Sequence, residues 1–294
     1  MKIGGRLPNS GALPARLGIA AMAVALEEAG FDSVWVADHV VMTTEVRSRY
    51  PFARDGRVTW PLDTPYYDCL IALGIAAAVT KRVELGTAVL VLPMRNPVVV
   101  AKQIATVSAT GRRRISLGVG AGWMAEEFEA LGSDFSSRGA RLDEALAVMR
   151  ACWTGNPPPV EGRFHRLPAG VLAYPVPPEP VSVLIGGMSP AALRRAARFD
   201  GWLAEQGHDA LDLDALAVGI ASMRQAAVAG GRDPDGLRAT FRYTGHPRSP
   251  EVLHGCFKQL ADLGFDEIVI DVDWEAEDGP RAALSRLRAL SAEV

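Results

Sequence analysis

The sequence predicts an α/β protein, a TIM (β/α)8 barrel with insertions, on three observations. Eight short β-branched runs alternate from end to end with longer stretches whose apolar residues recur three and four apart. No Gly/Ser-rich linker or break in charge divides the 294 residues. Shared among eight units, that length leaves about 37 residues each, the size of a strand, a helix and two turns in such a barrel. Residues 1–294 are therefore read as one barrel domain.

The predicted strands are Lys2 to Arg6, Ser33 to Asp38, Val83 to Val89, Arg114 to Val119, Val181 to Gly186, Gly201 to Glu205, Leu237 to Thr244 and Glu267 to Val272. Helical spacing is plainest in Leu17, Ala21, Val24 and in Leu142, Ala145, Leu146, Met149, Trp153. It returns in Leu253, Cys256, Leu260, Leu263 and in Leu284, Leu287, Leu290. Gly30, Gly155 and the pair Gly230-Gly231 sit where helices must stop. Two connections are too long to be simple turns. The stretch Val40 to Pro65 carries Arg47, Arg49, Arg54 and Arg57 among Tyr50, Phe52 and Trp60. It follows a strand, so it opens on the face where barrel enzymes keep their active sites and is a candidate lid. The stretch Gly155 to Pro180 holds eight of the 20 prolines. It reads as an inserted small hairpin with Phe164, Leu167 and Tyr174 packed under it.

Apolar residues make up 49% of the chain and charged ones 22%, enough to bury a large core. Thirty-one basic residues against 34 acidic ones leave a net charge of −3, so no global basic field attracts nucleic acid or anionic lipid. A small-molecule partner is the expectation. Cys69, Cys152 and Cys256 are odd in number and far apart, as reduced core thiols are in a cytoplasm. The N-terminus has no signal-peptide layout and no window reads as a membrane span, so a soluble cytoplasmic protein is expected.

Three places could carry chemistry. Asp38 and His39 end the second strand, at the rim where ligands bind; an acid there needs a hydrogen-bond partner, and a neighbouring imidazole titrates near neutrality. Capping of the next turn by Asp38 explains the acid equally well. Gly118, Gly120 and Gly122 follow the fourth strand and leave bare backbone for a ligand, or simply relieve a tight rim. Ile185-Gly186-Gly187-Met188-Ser189-Pro190 runs from strand into helix, with Ser189 placed as N-cap and Pro190 as first helical residue, the local chemistry of an anion cradle. By contrast His165, His208, His246 and His254 have no metal-ligand spacing. No serine lies in a GxSxG elbow.

Taken together, GFDSVWVADHV, VELGTAVLVLPMRNPVVVAKQIATVSA, ISLGVGAGWMAEEFEALG, RGARLDEALAVMRACWTG and VLIGGMSPAALRRAARFDGW resemble, in order and spacing, the luciferase-like superfamily of flavin and deazaflavin oxidoreductases. They are most similar to its coenzyme F-420-dependent branch, over residues 2 to 205. The resemblance implies that Asp38 and His39 face the deazaflavin ring and that a non-prolyl cis peptide at Ala88-Val89 forms a bulge behind it. It implies that Thr106 lies close to the cofactor and that Gly120, Ala121 and Gly122 line its polar arm. The turn Gly186, Gly187, Met188 would hold its phosphate. Trp123 departs from the pattern, since some sugar-phosphate dehydrogenases of the branch carry a catalytic Glu there. That favours an apolar, flat substrate. Glu126 and Glu127 of the EEF turn are expected to be structural.

The activity so implied is hydride transfer between coenzyme F-420 and a small organic substrate, with His39 moving the substrate proton and Asp38 orienting it. The alternatives are an FMN-dependent monooxygenase of the same superfamily and, from another class, a ligand-binding or structural barrel without turnover. A homodimer is usual for the family.

Overall fold

A computed structural model describes the chain except residues 54, 112–113, 208–210, 245–256, 277, 293–294 and the side chains of 290–292. Arg54, His208, His246, Leu253, His254, Cys256 and the side chain of Leu290 therefore lie outside the described residues.

Eight parallel strands close into a barrel. They are β1 (Lys2–Arg6), β2 (Ser33–Val36), β3 (Glu84–Val91), β4 (Ile115–Gly120), β7 (Ser182–Gly186), β8 (Gly201–Gly207), β9 (Arg238–Thr244) and β10 (Glu267–Ile270). Neighbours run β1-β10-β9-β8-β7-β4-β3-β2, with β2 returning to β1 through the register Gly4 to Ser33. All eight predicted strands are present. The predicted second and eighth strands run two residues too far, because Asp38 and Val272 belong to the rim. The helices are α1 (Leu13–Leu17), α2 (Ile19–Ala29), α3 (Cys69–Val79), α4 (Pro97–Gly111), α5 (Ala125–Ala130), α6 (Arg138–Cys152), α7 (Pro190–Ala196), α8 (Leu213–Ala229), α9 (described over 257–262) and α10 (Gly279–Ala292). Gly30 ends α2 at φ 98°, a left-handed cap that a side chain would oppose. Among the described residues no helix is long and apolar enough to cross a membrane.

Inside the barrel, Trp35, Ala88, Leu184, Leu203 and Val269 form a core of their own, separate from the one between strands and helices. The Trp35 indole fills this space because Gly86 is bare: a Cβ there would lie 2.4 Å from the ring. Beneath it, polar groups plug the N-terminal end. Arg238 donates to Ser116 Oγ at 2.8 Å, Glu84 Oε1 at 3.1 Å and Glu267 Oε2 at 3.2 Å.

The insertion after α6 does form a hairpin, β5 (Val160–Glu161) against β6 (Arg166–Leu167). Leu167 is buried under it, whereas Tyr174 is 53% exposed, contrary to expectation. Its ring sits over Gly155 at the surface, which leaves one face to solvent. The long stretch after β2 has no regular structure among its described residues, yet it is fastened at both ends. Gly11 N donates to Pro65 O at 2.9 Å and Tyr67 N to Asn9 O at 2.8 Å. At its start, Arg47 N and Ser48 N donate to Glu126 Oε1 at 2.7 and 3.1 Å.

Candidate active site

The C-terminal mouth of the barrel opens into a cleft of about 790 Å³, large enough for a drug-sized or cofactor-sized ligand. It runs from His39 across the ends of β3 and β4 to the start of α7.

At one end, His39 Nδ1 lies 3.0 Å from Glu127 Oε2. The other oxygen of Glu127 accepts from Val40 N at 2.6 Å and Val41 N at 3.2 Å. A carboxylate offers lone pairs only, so the network assigns the Nδ1 proton to His39 and leaves Nε2 to the cleft. Three rings fence the imidazole: Tyr66 edge-on at 5.0 Å, Trp123 edge-on at 5.9 Å and Trp60 tilted at 6.1 Å between centroids. Tyr50 closes the group, 5.0 Å from Trp60 and 5.2 Å from Trp123. The long connection thus contributes Tyr50 and Trp60, with Phe52 5.5 Å from Tyr50, the three rings its sequence offered.

The expected role of Asp38 is corrected here. Its carboxylate is fully buried, and such a charge must be paired. Oδ1 accepts from Arg95 Nη2 at 2.7 Å and Oδ2 from Val91 N at 3.0 Å. Asp38 borders the cleft, but it ties the end of β2 to the end of β3 and makes no contact with the imidazole. Glu127, expected to be structural, is the residue that orients His39. Its signal was faint in sequence because the two are 88 positions apart.

The middle of the cleft is built around Val89. The Ala88-Val89 peptide is cis and the β3–β4 register shifts between Thr87 and Leu90. A Cβ on Gly120 would come within 2.7 Å of Val89 Cγ2, and one on Gly186 within 2.7 Å of Val89 Cγ1. The two glycines therefore seat the Val89 isopropyl group between them as the floor of the cleft. Gly122, at φ 85°, is bare for a different reason: a Cβ would meet Val91 and Phe128 at 2.7 Å.

At the far end, Gly187 takes φ 110°, and a Cβ there would meet only Ala192, at 3.4 Å. Ser189 Oγ accepts from Ala192 N at 3.2 Å, the predicted N-cap, with Pro190 first in the helix. Ser136, Arg138 and Arg195 border the same end. Arg195 is held by Asp143 through two bonds of 2.8 Å, so its charge is already partly matched. Arg138 lies 3.9 Å over the Phe135 ring.

Two expected residues are elsewhere. Thr106 is on the exposed side of α4, its hydroxyl turned back to Lys102 O at 2.8 Å. A helix that presents Val100, Ile104 and Val107 inward must turn position 106 outward. Met188 packs its side chain on the outer core and offers the cleft no more than its backbone. No group of three or more potential metal ligands occurs among the described residues.

The family model described as luciferase-like monooxygenase matches residues 6–251. The chain belongs to that family. An uncharacterized relative from Mycobacterium bovis is 35% identical over 206 residues, covering 70% of this chain and 71% of the other. An F-420-dependent glucose-6-phosphate dehydrogenase from Nakamurella multipartita is 37% identical over 194 residues, covering 64% of this chain and 52%, about half, of that relative. Among solved structures, an F-420-dependent secondary alcohol dehydrogenase in complex with an F-420-acetone adduct shares the fold at TM-score 0.73 and 19% identity, over 92% of both chains. In this luciferase-like barrel the cleft lies at the strands' C-terminal ends.

Proposed function

We propose that the protein is an oxidoreductase that transfers a hydride between coenzyme F-420 and a small organic substrate. The observation that carries this reading is the ordered cleft: an oriented imidazole at one end, a flat floor at Val89 and a glycine turn flanked by arginines at the other. Such a cleft fits a planar ring with a polar, anionic arm. Gly120 and Gly186 keep the floor flat, and Gly187, Ser189, Arg138 and Arg195 border the anionic end. The deazaflavin-dependent relatives support the choice of cofactor. When bound there, the coenzyme supplies or accepts the hydride.

The chain's own residues do the rest. Tyr66, Trp60 and Trp123 exclude water around His39, which strengthens each hydrogen bond in the mouth. Glu127 accepts from Nδ1 and so fixes ring orientation and tautomer. Nε2 is then the atom that takes a proton from a substrate hydroxyl during oxidation; during reduction the imidazolium, protonated on both nitrogens, gives its Nε2 proton to a substrate oxygen. Proton and hydride travel to different atoms, so the pocket must hold both reaction partners at close range. Trp123 puts an indole where the sugar-phosphate dehydrogenases are expected to carry a carboxylate, so the substrate is not read across from the Nakamurella relative.

Titration of the purified protein with F-420 and with FMN, followed by cofactor fluorescence, tests the reading. Tight binding of F-420 and oxidation of its reduced form by carbonyl substrates are expected. Binding of FMN with oxygen-dependent turnover would replace the proposal by a flavin monooxygenase; binding of neither would leave a barrel without redox turnover. His39→Ala should lower turnover about 10²- to 10⁴-fold, the usual worth of a positioned acid or base, with F-420 affinity within about twofold.

A further inference from the structure

The cleft has a branch that neither His39 nor the anionic end uses. It descends into the barrel mouth between Arg6, Ser10, Glu205, Arg242 and Asp271. Two guanidinium groups face two carboxylates there, and every contact is long. Arg242 Nε reaches Glu205 Oε1 at 3.3 Å; Arg6 Nη1 reaches Asp271 Oδ1 and Nη2 reaches Ser10 Oγ, each at 3.4 Å. A guanidinium and a carboxylate satisfied by each other meet as a fork, with two bonds near 2.8 Å, as Arg195 and Asp143 do in this same chain. Arg242 is 4% exposed, yet among the described residues its five donors make that one bond. Arg6 Nε is buried with no partner at all. A buried donor left as Arg6 Nε is left is costly, and a ligand acceptor would relieve the cost.

The surroundings say what kind of ligand. Tyr50 joins the two regions: its ring packs on Trp60 and Trp123, while its hydroxyl is held neutral by burial and by the charge of Glu205. Burial also pushes the Glu205 carboxyl up, against the pull of Arg242. One face of the branch is thus ring edges and the other is under-coordinated guanidinium. Resting on the function proposed above, we infer that the substrate is a flat conjugated carboxylic acid whose ring lies among Tyr50, Trp60 and Trp123 and whose carboxylate docks on Arg242. A polyol phosphate would meet aromatic edges on the side where its hydroxyls need partners.

Three probes separate ring from charge: trans-cinnamate, cinnamyl alcohol and glucose 6-phosphate, each titrated calorimetrically into the protein with and without F-420. Cinnamate should bind at least about tenfold more tightly than the alcohol, and glucose 6-phosphate more weakly than either. Arg242→Lys keeps the buried charge but loses the fork; it should weaken cinnamate about tenfold and leave the alcohol unchanged. Glu205→Gln removes the competing carboxylate and should tighten cinnamate, whereas a purely structural pair would yield only a lower unfolding temperature. Equal affinity for acid and alcohol, indifference to Arg242→Lys, or weaker cinnamate binding in Glu205→Gln overturns the inference. Titration of the same variants with F-420 alone reports separately on the cofactor, so loss of F-420 binding with intact selection for the acid removes the functional reading and spares the branch.

Discussion

His39 and Glu127 show how much of the chemistry depends on one contact between residues distant in the chain. His39 was visible as a polar residue at a strand end, where a barrel has its mouth. Its partner was not, because only the closed sheet brings the start of α5 beneath the residue after Asp38. Asp38 misled for a physical reason: its carboxylate is taken by Arg95 and the Val91 amide, which lie far from it in sequence and meet it only in the closed barrel. Glu127→Gln keeps an acceptor for the amides of Val40 and Val41 but can present a donor towards Nδ1. Turnover should fall about 10- to 100-fold, the range for a residue that orients another, while KM and F-420 affinity stay within about twofold. Steady-state kinetics beside a thermal melt checks this, since a merely structural loss would lower the melting temperature and leave kcat per folded molecule alone.

At the scale of elements, strand ends and turns were easier to read than what fills them. The β7–α7 turn announced itself through Ser189 and Pro190, and both take the positions their chemistry favours. The glycines announced bare backbone, but not its occupant: Gly120 and Gly186 make room for a side chain of β3, and that depends on inter-strand register. Placing a methyl on Gly186 must push Val89 into the cleft or out of its seat. Gly186→Ala should therefore weaken F-420 binding about tenfold, Val89→Ala alone should cost less, and the double variant should recover part of the affinity. Such non-additivity is expected of two groups in direct contact, and fluorescence titration of the four proteins measures it. Additive losses would mean that Val89 and Gly186 act separately.

The whole barrel is closed at the bottom by charges whose strength depends on pH. Glu267 is fully buried and Glu84 nearly so, and both lean on Arg238, with Ser33 and Trp35 donating to Glu267 and Ser116 donating to Glu84. Burial pushes the Glu84 carboxyl up, but Arg238, Ser116 and Lys2 outweigh it, so its folded value lies below the ordinary one. Glu84 therefore contributes stability above the unfolded carboxylate range and loses it as pH falls through the folded value. Glu267 behaves oppositely: burial dominates, its folded value is raised, and its contribution is lost as pH rises. In the intact barrel the two slopes partly cancel. Arg238→Met removes the guanidinium that helps to oppose burial at both acids, leaving Ser116 and half-exposed Lys2, 3.2 Å away, beside Glu84 and Ser33 and Trp35 beside Glu267. Both folded values then move up, so the stability that the substitution costs grows as pH rises. The variant should lose about 3 kcal/mol or more near neutrality, as buried carboxylates do when stripped of a partner, and less at about pH 5 than at about pH 8. Urea unfolding of both proteins at those two pH values decides it: a deficit independent of pH would mean that Arg238 acts through packing alone.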